Sequence, residues 1–80
     1  MQLILIKIKT RSQKAVAVQE VLTKHGCDIQ MRLGLHEHGG QECSNEGLII
    51  LKVNPDANVV NGLQADLKAL DQVEVKLVSI

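Results

Sequence analysis

The chain has 80 residues, enough for one domain, and its nine Lys+Arg against nine Asp+Glu give a formal net charge of zero. A balanced chain has no electrostatic footprint for nucleic acid or for an anionic membrane surface. The absence of Phe, Tyr and Trp also removes base-stacking platforms and aromatic cages. A 45% hydrophobic content supplies a packed core, although a domain of this size buries only about 60–65% of its unfolded surface. No apolar run approaches the ~18 residues of a membrane-spanning helix. The start, Met1-Gln2-Leu3-Ile4-Leu5-Ile6-Lys7, lacks the basic segment and apolar length of a secretion signal. The expected compartment is therefore the cytoplasm, where Cys27 and Cys43 are expected as thiols or ligands rather than as a disulfide.

Residues 3–8, Leu-Ile-Leu-Ile-Lys-Ile, are β-branched and apolar, the pattern of a buried strand. Thr10 and Gln13 have the spacing of a capping box. Ala15, Val18 and Leu22, with Ala17 and Val21 beside them, then recur at helical spacing. Gly26 follows Lys24 and His25 in the position of a C′ stop, so a helix is expected over 11–25. Ile29, Met31, Leu33 and Leu35 alternate with Asp28, Gln30, Arg32 and Gly34 as a half-buried strand does. Gly39-Gly40 breaks that pattern. Leu48-Ile49-Ile50-Leu51-Lys52-Val53 is a third, more apolar strand, expected in the sheet interior. Asn54-Pro55-Asp56 reads as a helix start, with Asn54 capping and Pro55 in the first turn. Val60, Leu63, Leu67 and Leu70 form one helix face, and Val73, Val75 and Leu77 alternate as a last strand.

The order strand–helix–strand–strand–helix–strand is the split βαβ pattern of an α+β, ferredoxin-like fold, spanning residues 1–80 as a single domain. Right-handed crossovers place both helices on one face of a four-stranded antiparallel sheet with strand order 4-1-3-2. On the first strand Ile4, Ile6 and Ile8 share one face; Leu3, Leu5, Lys7 and Lys9 share the other. On the third, Ile49, Leu51 and Val53 oppose Leu48, Ile50 and Lys52. One set lies under the helices, which leaves Leu3, Leu5, Leu48 and Ile50 clustered on an uncovered face. Burial of apolar surface is worth about 25 cal/mol per Å², so a sheet-to-sheet or edge-to-edge homo-oligomer, dimer or tetramer, is expected.

Between the second and third strands lies Leu35-His36-Glu37-His38-Gly39-Gly40-Gln41-Glu42-Cys43-Ser44-Asn45-Glu46-Gly47. In an extended strand His36 and His38 lie on one face, about 6.5 Å apart, and Cys43 returns from the Gly-Gly turn. Two imidazoles and a thiolate suit Ni, Cu or Zn better than Mg or Ca, which makes His36, His38 and Cys43 the candidate ligands, with Glu42 as a fourth. His25 precedes the second strand while His36 follows it, and the intervening extended chain spans about 36 Å, so His25 joins such a site only from another subunit. Cys27 reads as a small buried residue at a strand start. Arg32 reads as a solvated edge-strand charge, with anion binding as the alternative.

Met31-Arg32-Leu33-Gly34-Leu35, Gly47-Leu48-Ile49-Ile50-Leu51-Lys52-Val53-Asn54 and Val60-Asn61-Gly62-Leu63-Gln64-Ala65-Asp66-Leu67-Lys68-Ala69-Leu70, followed by Val73-Glu74-Val75-Lys76, resemble the small ACT-like iron-only hydrogenase system regulators. That resemblance implies an ACT-like ferredoxin fold, oligomerisation and a regulatory role, and it supplies no ligand. The chain departs from that family in its long hairpin. His36-Glu37-His38 followed by Cys43 is instead similar to the metal-binding C-terminal domain of the nickel-responsive repressors, which is also ACT-like. Here four residues separate His38 from Cys43, one fewer than in that family. The ribbon-helix-helix segment that binds DNA in those repressors has no counterpart in the chain, so direct nucleic-acid binding is not implied.

No nucleophile elbow or phosphate loop is present. A Cys43–His38 pair has the elements of an activated nucleophile, but nothing else in the chain supplies an oxyanion hole. The expected function is a non-enzymatic regulatory, ligand-sensing domain that holds a transition metal at the hairpin. The alternative is a ligand-free interaction domain that docks on a protein partner through its open sheet face.

Overall fold

A computed structural model describes the backbone of residues 1–9, 11–39 and 42–80, and the side chains of 1–9, 14–34 and 47–80. The elements are β1 (Gln2–Ile8), α1 (Arg11–Lys24), β2 (Ile29–Gly39), β3 (Glu42–Val53), α2 (Ala57–Lys68) and β4 (Val73–Ser79), with a short 3-10 turn at Gly26–Asp28. The sheet order is β2-β3-β1-β4, antiparallel at every pairing. This is the ferredoxin-like βαββαβ arrangement, with the two apolar strands β1 and β3 in the interior as their composition requires.

The helix-side face is built from rows of cross-strand partners. Arg32, Leu51, Ile4 and Leu77 form one row; Gly34, Ile49, Ile6 and Val75 form the next. Ile4, Ile6, Ile8, Leu51 and Val53 from the sheet are buried in one cluster with Val18 and Leu22 of α1 and Val60, Leu63 and Leu67 of α2. Both helices therefore cover the same face. The stripe contributed by α1 is narrower than its sequence suggests: Ala15 is exposed, Ala17 and Val21 are half-buried, and Val16 is 69% exposed.

Three local expectations change. Gly26 does not end α1 as a left-handed C′ residue; its φ lies outside the positive region, and the chain passes into the 3-10 turn, where Asp28 N donates to the His25 carbonyl at 3.0 Å. The tighter turn satisfies the terminal carbonyls without a left-handed residue. Asn54 is not the cap of α2. Its Oδ1 accepts from Asp56 N at 3.1 Å in an Asx-turn, and Asp56 is the N-cap, accepting from Asn58 N at 2.8 Å. The expected Thr10–Gln13 capping box lies outside the described residues. After α2, Gln72 turns the chain in the left-handed region at φ 64°, and its carbonyl accepts from Lys9 N at 2.9 Å, which fixes the end of β1.

Among the described residues no helix is long and apolar enough to cross a membrane. Leu63 is fully buried between the helix pair and the sheet. Leu63→Ala is expected to lower stability by about 2–5 kcal/mol, read as a shift of the urea midpoint at unchanged slope. A change under ~1 kcal/mol would contradict this core assignment.

Candidate functional site

Helices cover one face of the sheet, and the other face carries the rows Met31–Lys52–Leu3–Val78, Leu33–Ile50–Leu5–Lys76 and Leu35–Leu48–Lys7–Glu74. Leu3, Leu5, Leu48 and Ile50 are half-buried by their own neighbours, while Met31 and Leu33 remain 46% and 47% exposed. The aliphatic cluster expected from alternation is thus present and extends onto the edge strand β2. Covering two side chains that are about half exposed contributes roughly 1 kcal/mol each.

The hairpin is longer than the rest of the sheet. Gly47 pairs with Ile8, the last residue of β1, while residues 42–46 of β3 continue past it and pair only with β2. His36 stands opposite Gly47, His38 opposite Cys43 and Gly39 opposite Glu42, with a register shift between His36 and His38. Over that interval β2 advances from 36 to 38 while β3 passes from 47 to 43, so β3 bulges. The backbone thus places the expected ligands in one short stretch of ladder, with His38 and Cys43 as direct cross-strand partners. The side chains of His36, His38, Glu42 and Cys43 lie outside the described residues. Among the described residues no group of three His, Cys, Asp or Glu side chains is arranged to hold a metal.

Cys27 is exposed in the 3-10 turn, not buried at a strand start. The turn precedes Ile29, and its backbone is tied to β3 through Asn54 N donating to the Asp28 carbonyl at 2.8 Å, which leaves the Cys27 side chain on the outside. Arg32 sits on the edge strand and is exposed as expected, with its Nη2 donating to Gln19 Oε1 of α1 at 2.5 Å. Beneath that contact Leu22, Thr23, Gly26 and Ile29 line a shallow depression of about 230 Å³.

The residue that sequence reading passed over is Asp66. It accepts a hydrogen bond from His25 Nε2 at 2.7 Å and forms an ion pair with Lys24 Nζ at 3.1 Å, which joins the end of α1 to the last turn of α2. His25 is only 16% exposed there, so it serves this junction. The hydrogen bond from His25, then that from Lys24, hold the Asp66 carboxyl below its ordinary value of 3.8. His25 and Asp66 are 41 residues apart in sequence and share no local pattern, so no spacing rule finds this pair.

No protein-family model matches the chain, and no curated protein matches it. Among solved structures the chain is similar to the uncharacterized protein TM1266 from Thermotoga maritima, at 26% identity over 96% of this chain and 91% of that one, with a TM-score of 0.79. The fold is shared over nearly the full length of both, and it is consistent with an ACT-like family. It also matches a nitrogen regulatory PII-like protein from Thiomonas intermedia, solved with ADP, AMP and bicarbonate, at 15% identity over 99% of this chain and 90% of that one, with a TM-score of 0.53. A formyltetrahydrofolate deformylase from Pseudomonas putida matches at 12% identity and a TM-score of 0.57, over 99% of this chain and 28% of the deformylase. These last two share the fold alone.

A depressed carboxylate stabilises the folded state above its unfolded value and loses that effect as pH falls through its folded value. Asp66→Asn is therefore expected to lower the melting temperature at neutral pH, with the gap to wild type closing as pH drops below the ordinary carboxylate range. A gap constant with pH, followed by thermal unfolding, would show that the Asp66 charge contributes nothing to the junction.

Proposed function

We propose that the chain is a small regulatory, ligand-sensing domain of the ACT-like kind, cytoplasmic and without catalytic activity. In this reading it self-associates through its open sheet face and takes a transition metal (Ni, Cu or Zn) on His36, His38 and Cys43. The observation that carries the metal reading is the register of the hairpin: His38 and Cys43 are direct cross-strand partners beyond the end of β1. Directly paired residues have Cα atoms about 4.5–5.5 Å apart, a separation from which an imidazole and a thiolate reach one ion. His36 lies two positions along the same strand. A thiolate with two neutral imidazoles favours borderline metals over hard cations, and binding deprotonates the donors, so uptake weakens at acid pH. A metal bridging β2 and β3 links the hairpin tip to the sheet whose open face adjoins it, and this is the route by which a bound ion changes assembly.

The regulatory part draws support from the shared fold with a nitrogen regulatory PII-like protein and from the resemblance to ACT-like regulators over most of the chain. A second reading, a ligand-free module that docks another protein on the open face, is favoured by the exposure of Met31 and Leu33 at 46% and 47%.

Native mass spectrometry of untagged protein before and after chelator separates the two. The metal reading expects about one ion per subunit, lost with chelator and absent from His36→Ala/His38→Ala. Failure of Ni, Cu and Zn to add to the apo protein at stoichiometric concentration would overturn it and leave the docking module.

A further inference from the structure

The charges of this neutral chain are not evenly spread. The open sheet face carries Lys7, Lys52 and Lys76 among its aliphatic rows, with Glu74 beside them, and Lys9 reaches Glu74 at 2.9 Å from the end of the same face. Four lysines against one glutamate give the face a formal charge of +3. Leu5, Lys7, Leu48, Glu74 and Lys76 together line a shallow depression of about 250 Å³ on it. The bond from Lys9, with a further contribution from Lys7, holds the Glu74 carboxyl below its ordinary value, as a locally positive surface does. The hairpin has the opposite composition: residues 35–46 contain Glu37, Glu42 and Glu46 and no Lys or Arg, a formal charge of −3.

We propose that the acidic β2–β3 hairpin of one copy lies across the lysine-rimmed open face of a second copy, and that the contact is reciprocal about a two-fold axis. This rests on the reading that the chain self-associates through that face, and names what covers it. Direct stacking of two identical faces brings two surfaces of the same formal charge together, and like charges brought together at an interface oppose association. The hairpin cannot cover the face of its own subunit, because it continues the β2–β3 ladder outward from the sheet. Its reach fits a neighbour. The five residues of β3 beyond Gly47 extend about 17 Å at 3.3–3.4 Å per residue, and a four-stranded face is about 14 Å across at 4.7–4.9 Å per strand spacing. A two-fold arrangement lets each copy give one hairpin and receive one.

The test is a charge swap. One variant carries Glu37→Lys and Glu46→Lys, which leaves His36, His38, Glu42 and Cys43 untouched; the other carries Lys52→Glu and Lys76→Glu. Sedimentation velocity and circular dichroism are recorded for each alone, for the equimolar mixture, and for wild type at low and high salt. The proposal expects folded variants whose self-association is at least tenfold weaker than wild type, a mixture that re-associates, and a wild-type oligomer weakened by salt. Variants that associate as wild type does overturn the hairpin contact; if Leu5→Glu still gives monomers, assembly through the open face survives and the hairpin is not its cover. Individually weakened variants that fail to re-associate when mixed overturn the reciprocal contact. A wild-type monomer that binds only an acidic peptide overturns it in favour of a foreign partner, and a monomer that binds neither overturns both readings. If either variant fails to fold, absence of salt dependence in the wild-type oligomer is itself the contradicting result.

Discussion

Everything in this molecule depends on the covering of one sheet face and not the other. Two helices supply Val18, Leu22, Val60, Leu63 and Leu67 to one side of β1 and β3, and among the described residues no element packs on the other side. Strands that lie in the interior of a sheet with one face covered ordinarily alternate apolar with polar residues. Here β1 and β3 depart from that alternation and place Leu3, Leu5, Leu48 and Ile50 on the open side. A neutral chain of this size has little apolar burial to spare, so aliphatics turned toward water call for an explanation in assembly or binding.

The hairpin poses the complementary problem. Among the described residues, its strands run past the end of β1 and pair with each other. A lone two-stranded ribbon is marginally stable in water, so this one needs a further tie. In the proposed reading, a metal across His38 and Cys43 would supply one from within the subunit, and a surface of opposite charge would supply one from outside. The two are compatible, because Glu37 and Glu46 are distinct from the proposed ligands. A bound divalent ion would also reduce the hairpin's net negative charge and so weaken its attraction to a lysine-rich face, which gives a sensing domain a means of coupling occupancy to assembly.

Much of this was legible in the sequence. Element order, strand order and the sorting of the β1 and β3 residues between two faces followed from period-two and helical spacing, because those patterns are direct consequences of burial; on β2 the register shift between Ile29 and Met31 turns Ile29 to the core and leaves Met31 and Leu33 on the open face, where plain alternation puts all three on one side. End details were less legible. Asn54 and Asp56 are both good cap residues two positions apart, and only the Asx-turn at Asn54 decides between them. Gly26 marks the right place to stop α1, but a 3-10 turn needs no left-handed residue and replaced the expected C′ geometry. Cys27 is small and apolar enough to suggest burial, yet it falls in the turn before β2 rather than in the strand itself. The His25–Asp66 junction was invisible because long-range polar pairs leave no periodic trace. Spacing nominates His36, His38 and Cys43 as candidate ligands; their cross-strand register, set by the bulge in β3, is not legible in it.

The central claim is that the uncovered aliphatic face is an assembly surface. Sedimentation equilibrium of the wild-type chain across a wide concentration range, beside Leu5→Glu, addresses it most directly. The account predicts an even-numbered oligomer for wild type and a folded monomer for the variant. A wild-type chain that remains monomeric at every concentration, with Leu5→Glu indistinguishable from it, would contradict the account.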